Sequence, residues 1–270
     1  MDIRSLTPEE KLGENYTKHE VFNKLDNYIN FYESLSFGIM NWLSGATLSF
    51  INIDTYAYSS IQGTLESIKI ILQKGRINDS YALLRKYFDA TLINVYTNLY
   101  IKNNHNIDNI VVGKINNWVK GKETIPEYRI ISKYIKEDDS LSSITFLLQK
   151  DNRYKEIRDR CNDHTHYNFY HNLLDNDNEI YLKDRVEKLD VLLKDLNNIF
   201  AQHFAYIFTI NEHYLMSSDY SDHMDVGMTP PDDCQYWVAP SIQKIFDKEI
   251  KLLRPDIAEV MKSETTMELE

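Results

Sequence analysis

Glycine and proline are scarce in this chain, with 8 and 6 among 270 residues. A fold rich in β-turns would need more of both, because these residues supply the backbone angles of tight turns. Cysteine is rarer still, and neither Cys161 nor Cys234 belongs to a CxxC pair. These absences argue against a disulfide framework and a zinc knuckle, and they favour a reducing cytoplasm as the compartment. Nothing in the sequence indicates a cofactor.

Positive charge is also in short supply, since 30 Lys and Arg against 41 Asp and Glu give a formal net charge of −11. A surface devoted to nucleic-acid phosphates relies on clustered Lys and Arg. The charge therefore argues against that class, although it leaves room for a small basic site in an acidic protein. Hydrophobic residues make up 43% of the chain, which is enough to bury a core.

Strongly apolar runs are missing, but residues 34–53 contain no charge over a length close to that of a membrane span. Asn41, Asn52 and a central Ser44-Gly45 pair dilute this stretch, whereas strong spans consist mostly of Leu, Ile, Val and Phe. We expect a buried helix–turn–helix junction there and no membrane association. The polar N-terminal residues lack the apolar stretch of a secretory signal, which again favours the cytoplasm.

Apolar residues recur at threes and fours along most of the chain, the spacing of an amphipathic helix. The period-two alternation typical of strands is nearly missing. The pattern predicts one all-α domain over residues 1–270, a bundle of long antiparallel helices with a smaller helical insertion and short C-terminal helices. The core helices are predicted at about 19–43, 54–74, 79–102, 152–171 and 179–216.

Three further segments complete this organisation. Residues 103–150 read as the insertion, and residues 217–240 as an irregular acidic segment. Residues 241–262 are predicted to form two C-terminal helices, the second beginning at Pro255, a favoured first helical position. The polar end of the chain, SETTMELE, is expected to fray.

The densest chemistry lies at residues 158–171, RDRCNDHTHYNFYH. Histidine is the residue type suited to proton transfer near neutral pH, and arginine offers permanent charge for phosphate. In one helix over 153–171, a single face would carry Arg160, His164, Tyr167 and His171. His164 would border the apolar seam beside the arginines, where desolvation and like charge keep the imidazole neutral and able to act as a general base.

The same helical projection places Arg158 about 120° from His164. If the helix is straight, the two side chains cooperate only through a second subunit. A break near Asn162 is the other way to bring them together. Outside the cluster, Arg85 lies in an otherwise apolar helix and is expected to pair with Asp89 on the next turn.

Arg158 and Asp159, followed by four residues and then His164, resemble the motif of the HEPN family of helical-bundle proteins. That motif is an arginine, a polar neighbour and a histidine a few positions later. Arg160 and His166 form a second, overlapping match. A looser likeness links GRINDSYALLRKYFDATLINVY, residues 75–96, to the helical core of uncharacterised bacterial HEPN-like proteins.

The resemblance implies a metal-independent endoribonuclease, a toxin or antiphage effector, that acts on RNA as a homodimer. It implies that His164 moves a proton at the ribose 2′-hydroxyl or the leaving 5′-oxygen. Arg158 would stabilise charge on the phosphorane, and Asp159 would orient one of the two. The auxiliary or RNA-binding candidates are Arg160, His166, Tyr167 and His171.

Other interpretations of the cluster stay open. The histidines can simply make satisfied hydrogen bonds in a polar helix layer, or His164 and His171 can join Asp163 or Asp175 at a transition metal. For the whole chain, the alternative function is a non-enzymatic helical scaffold or regulatory protein that binds a partner protein through the acidic segment 217–233. In that case Arg158 and His164 should be buried and hydrogen-bonded within one subunit.

Overall fold

The structure is a computed structural model, and it describes residues 8–42, 53–106, 111–177, 179 and 182–270. Over these residues the backbone forms helices and no strand. An isolated antiparallel bridge joins Met216 to Val238. The predicted fold class, an all-α bundle of long helices, is confirmed.

The helices follow one another along the described chain with short connections. The N-terminal ones are α1 (Pro8–Leu12), α2 (Glu14–Thr17), α3 (Glu20–Trp42), α4 (Ile53–Gln73) and α5 (Ile77–Asn104). The middle ones are α6 (Gly113–Val119), α7 (Tyr128–Lys136), α8 (Ser142–Leu148), α9 (Arg153–Thr165) and α10 (Tyr170–Leu174). The last are α11 (Arg185–Ile210), α12 (Asp219–Asp225), α13 (Pro240–Ile245), α14 (Lys251–Leu253) and α15 (Pro255–Glu264).

Two of the predicted core helices end earlier than their periodicity indicates. The helix predicted at 152–171 stops at Thr165, because Tyr167 adopts a φ of 50° in the left-handed region, and the chain then restarts as α10. The helix predicted at 179–216 begins only at Arg185 and ends at Ile210, since Asn211 leaves helical geometry with φ −128° and ψ 66°. Residues 180 and 181 of that prediction lie outside the described residues.

The other three core helices lie where they are predicted, as α3, α4 and α5, with ends shifted by no more than two residues. Residues 103–150 contain the expected short helical pieces, and the Asp138 side chain accepts a hydrogen bond from the Ser140 N–H at the start of one of them. The second C-terminal helix begins at Pro255, as predicted. Of the proposed junction at 34–53, residues 43–52 lie outside the part of the chain that the structure describes.

The chain divides into two compact units. Unit 1 comprises Met1–Thr91 and Asn152–Phe200, and unit 2 comprises Leu92–Asp151 and Ala201–Glu270. The predicted insertion therefore groups with the C-terminal part of the chain. The interpretation of residues 1–270 as one domain stays a prediction.

Aromatic side chains fill the core of unit 1. Tyr28 stacks on Phe200 with ring centroids 3.8 Å apart, and the hydroxyls of Tyr32 and Tyr87 are 3.1 Å apart. Both members of the second pair are buried, and one phenol hydroxyl donates to the other. Because these rings come from α3, α5 and α11, the cluster ties the three helices together.

The C-terminal end of unit 2 is packed, and the expectation that it frays is wrong. Met267 and Leu269 are buried, and the backbone N–H of Glu268 donates to the Tyr236 carbonyl at 2.8 Å. The N–H of Thr266 donates to the Glu212 carboxylate. The two apolar side chains alternate with polar ones, which lets an extended segment bury one side and hydrate the other.

The acidic segment is less irregular than predicted. Its residues include the helix α12 and a short 3₁₀ turn at Cys234–Tyr236. Hydrogen bonds join the two ends of the acidic segment. The Ser217 N–H donates to the Trp237 carbonyl at 2.8 Å, beside the Met216–Val238 bridge. Most of the acidic part between these ends is exposed, as expected of a charged segment.

No helix within the described ranges combines the length and the apolar character needed to cross a membrane.

Candidate functional site

Helix α9 places the predicted cluster on the core of unit 1. Ile157, Cys161 and His164 are spaced by four and three residues and are all buried, so the expected apolar seam is confirmed. Burial raises the pKa of Cys161 to about 12. The thiol is therefore protonated at neutral pH and is a core residue, not a nucleophile.

Arg158 belongs to a network that joins α9 to α5. Its guanidinium donates to Oδ1 of Asp89 at 2.9 Å, and the other oxygen of Asp89 accepts from Nε of Arg85 at 2.8 Å. Arg85 also donates to Oδ1 of Asn162 at 2.7 Å. The predicted Arg85–Asp89 pair is confirmed, and the same carboxylate also accepts from Arg158, so two guanidinium groups share one negative charge.

Arg160 points to a different helix, α11. Two of its guanidinium nitrogens donate to the two carboxylate oxygens of Asp195, at 2.7 and 3.0 Å. The Asp195 side chain is only 3% exposed, whereas that of Arg160 is 36% exposed. The hydrogen bonds to Asp195 raise the pKa of Arg160. This bidentate pair cross-links α9 and α11.

His164 is held on two sides. Its Nδ1 lies 2.9 Å from Oδ1 of Asn78, and its ring stacks on Tyr81 with centroids 4.0 Å apart. The residue is 8% exposed, and burial lowers its pKa to about 4, with Asp175 opposing this shift. The imidazole is therefore neutral at pH 7, as expected. Burial is the main cause of this lowered pKa, and the nearby arginines are not among its causes.

The hydrogen bond to Asn78 assigns the tautomer of His164. An amide oxygen accepts, so Nδ1 carries the proton and Nε2 keeps its lone pair. Among the residues that the structure describes, no other group hydrogen-bonds this ring. An oriented neutral imidazole with one basic nitrogen left over is the arrangement that general-base chemistry needs.

A buried polar layer surrounds His164. Asp175 is fully buried and its Oδ1 lies 2.6 Å from Nζ of Lys188. The Asn172 amide donates to the Asp163 carbonyl at 2.9 Å. Within the described part of the chain, Oδ2 of Asp175 and Oδ1 of Asn172 have no hydrogen-bond partner. Two buried acceptors can thus each take a further donor, such as a water molecule.

The remaining predicted residues lie on the surface. Asp159 is exposed on α9, and His166, Tyr167 and His171 are exposed in and after the turn that follows it. The Asn168 amide donates to the Asp163 carboxylate at 2.7 Å and braces this turn. The turn also exposes aromatic rings, of which Phe169 stacks on His171 at 5.6 Å.

The structure does not bring the predicted catalytic residues of unit 1 together. Helix α9 runs unbroken through Asn162, so Arg158 meets Asp89 while His164 meets Asn78. The predicted common face of Arg160, His164, Tyr167 and His171 is wrong beyond Thr165, because the helix ends there. Sequence reasoning assigned no role in this site to Asn78 or Lys188, and neither carries a local signal for one.

No group of three or more His, Cys, Asp or Glu side chains in the described ranges is arranged to hold a metal ion. No protein-family model matches the chain, and no curated protein or solved structure matches it significantly. The likeness to the HEPN family therefore stands on the residues alone.

Unit 2 contains a second buried histidine with a lowered pKa. Together with His164, it predicts how the stability of the protein changes at acid pH. His203 is 1% exposed, with its Nε2 2.9 Å from Oδ1 of Asn94, and burial lowers its pKa to about 3. Both histidines bind a proton more readily in the unfolded chain, whose histidine pKa is about 6.5. Stability is thus full above that pH and falls as the pH drops toward each folded-state pKa.

We expect each buried histidine to remove about 2 kcal/mol from the free energy of unfolding between pH 7 and pH 5. Denaturant unfolding at the two pH values will show this in the wild type. His164→Gln and His203→Gln should each lose about 2 kcal/mol less, because glutamine does not titrate. Equal pH sensitivity in the wild type and both variants would contradict the expectation.

Proposed function

We propose that this chain is a metal-independent endoribonuclease of the HEPN type. The observation that carries the proposal is the neutral His164 ring, fixed by Asn78 and Tyr81 with Nε2 left to accept a proton. Cleavage of RNA by the neighbouring hydroxyl requires a base, an acid and positive charge at the phosphate, and protein side chains can supply all three.

In the proposed reaction, Nε2 of His164 takes the proton of the ribose 2′-hydroxyl. The 2′-oxygen then forms a bond to phosphorus, and the bond from phosphorus to the 5′-oxygen breaks. The exposed His171, seven residues further along the chain, is the proposed donor of the proton to that leaving oxygen, and His166 is the second candidate. The products are a 2′,3′-cyclic phosphate and a 5′-hydroxyl.

Positive charge at the phosphate is proposed to come from a second copy of the chain. Within the described residues of one copy, Arg158 is paired with Asp89 and Arg160 with Asp195, and no hydrogen bond joins either arginine to His164. A homodimer can bring an arginine of one copy to the histidine of the other. The proposal includes a cytoplasmic toxin or antiphage role, and this role is supported by the family resemblance alone.

The test is an assay of purified protein on single-stranded RNA in an excess of chelator. We expect cleavage to continue at its full rate, and the 5′ ends of the fragments to accept phosphate from a polynucleotide kinase because they are hydroxyls. Intact RNA, or cleavage that appears only when a divalent metal is restored, would contradict the proposal.

A second candidate is a non-enzymatic scaffold or regulatory protein. One observation favours it, because the Arg158 side chain is 20% exposed, His164 is 8% exposed, and both are hydrogen-bonded inside unit 1. The acidic segment 217–233 also exposes Met224 and Val226 among its aspartates. Such a surface suits a partner with basic and apolar groups.

The scaffold function can be tested by removing charge from the acidic segment. Replacing Asp219, Asp222 and Asp225 with asparagine removes three charges from α12 without touching unit 1. Under the scaffold function, a partner that co-purifies with the wild type is lost from this variant. A partner retained equally by both proteins would rule out the acidic segment as the docking surface.

A further inference from the structure

A strongly basic segment lies in unit 2 of this acidic protein. Residues 111–136 contain six Lys and Arg against two Glu, a local net charge of +4 in a chain of −11. Charges separated by more than about 10 Å are largely screened at 0.1 M salt. A ligand at this segment therefore responds to the local positive charge more than to the net charge of the chain.

The basic side chains of the segment face solvent. On α7, Arg129, Lys133 and Lys136 are exposed, while Ile131 and Ile135 are buried on the other face. Lys133 lies 3.7 Å from the Glu137 carboxylate. In the described structure the other five basic residues of the segment form no ion pair, so most of this charge is not neutralised.

An open depression lies at α6 and the turn that follows it, with a volume of about 850 Å³. It is lined by Gly113, Lys114, Asn117, Lys122, Glu123 and Thr124. Two ammonium groups, an amide and a hydroxyl can donate hydrogen bonds here, against one carboxylate. We call this depression the basic groove. Its volume lies within the range of about 300–1,000 Å³ that ligand sites occupy.

Lys114 is held in place at the groove. Its Nζ lies 5.1 Å from the centroid of the Tyr100 ring and 5.9 Å from that of Tyr96. A hydrogen bond with Tyr96 raises the pKa of Lys114, which keeps the ammonium charged. Tyr134, half-buried, lies 5.7 Å from Tyr100. The groove thus contains a positioned ammonium group. The Tyr96 and Tyr100 rings that contact Lys114 are not among the residues that line the groove, and Tyr96 is buried.

We infer that the basic groove binds the phosphate groups of a single-stranded RNA. Lysine ammonium groups bind phosphate oxygens as point charges, and the Asn117 amide and Thr124 hydroxyl add neutral donors. The choice of RNA as the polyanion rests on the proposed function. The groove belongs to unit 2 and shares no residue with the His164 site of unit 1, so it is a separate binding site.

Fluorescence anisotropy with a labelled 2′-O-methyl RNA strand tests this inference. Such a strand cannot be cleaved by its own hydroxyls, so binding is measured without catalysis. We expect Lys114→Ala/Lys122→Ala to weaken binding roughly tenfold or more, and to reduce the slope of log K against log salt by about 1.4, since each single-strand phosphate contact contributes about 0.7.

Lys248→Ala/Lys262→Ala is the matched control, because it removes the same charge from exposed positions of unit 2 outside the groove. An equal loss of affinity in both double variants would overturn the inference. It would also be overturned if polyglutamate displaced the RNA as well as unlabelled RNA of equal charge does, since the groove would then be a site for acidic protein segments.

The test of RNA binding at the basic groove can fail or succeed independently of the test of RNA cleavage. Binding that depends on Lys114 and Lys122 without any RNA cleavage would sustain the groove and defeat the endoribonuclease. Cleavage of ordinary RNA with binding unaffected by the two lysines would do the reverse.

Discussion

Replacing His164 with glutamine will lower the rate of RNA cleavage by about 100-fold to 10,000-fold, the contribution of a positioned acid–base group. Glutamine is of similar reach and can still hydrogen-bond Asn78, but it cannot take a proton from the 2′-hydroxyl. The single-turnover rate at saturating protein is the quantity to measure, because it excludes effects on substrate binding.

His203→Gln is the matched control for this prediction. His203 is also buried, also bonded to an asparagine side-chain oxygen and also neutral, but it lies in unit 2. We expect it to cleave RNA at the wild-type rate wherever it is folded. An His164→Gln protein that is folded and cleaves as fast as the wild type would remove His164 from the mechanism.

Replacing Arg160 with alanine will lower the free energy of unfolding by about 3 kcal/mol, because it leaves the buried Asp195 carboxylate without its partner. Asp195→Ala should cost less, since the abandoned Arg160 guanidinium is 36% exposed and can be hydrated. Denaturant unfolding of the two single variants will measure this asymmetry.

A double variant, Arg160→Met/Asp195→Leu, completes the comparison. Replacing both members of a buried ion pair with apolar side chains of similar size is often close to neutral. We expect it to be more stable than Arg160→Ala. Equal and small losses in both single variants would show that the pair does not join α9 to α11 in solution.

Helical periodicity is sufficient to predict the fold class and most helix positions, but not the C-terminal end of α9. The chain turns at Tyr167, which adopts a positive φ although it is not a glycine. A bulky residue rarely adopts this conformation, so no local signal marks the break. The face predicted for Arg160, His164, Tyr167 and His171 fails for this reason.

Burial of His164 could be predicted because Ile157 and Cys161 share its helical spacing. Its partner could not, since Asn78 is 86 positions away in the chain and meets His164 only through tertiary packing. The same holds for Asp195, 35 positions from Arg160. A sequence pattern orders residues on one helix, whereas hydrogen-bond partners depend on how helices are placed against each other.

The central claim is that the chain cleaves RNA through the ribose 2′-hydroxyl without a metal. Its most direct measurement uses one RNA cut by the wild type in excess chelator, beside the same RNA with a 2′-O-methyl group at the cut position. We predict fragments ending in a 2′,3′-cyclic phosphate from the first RNA and no cut at the modified position of the second. Equal cleavage of the two RNAs, or no cleavage of either in chelator, would contradict the claim.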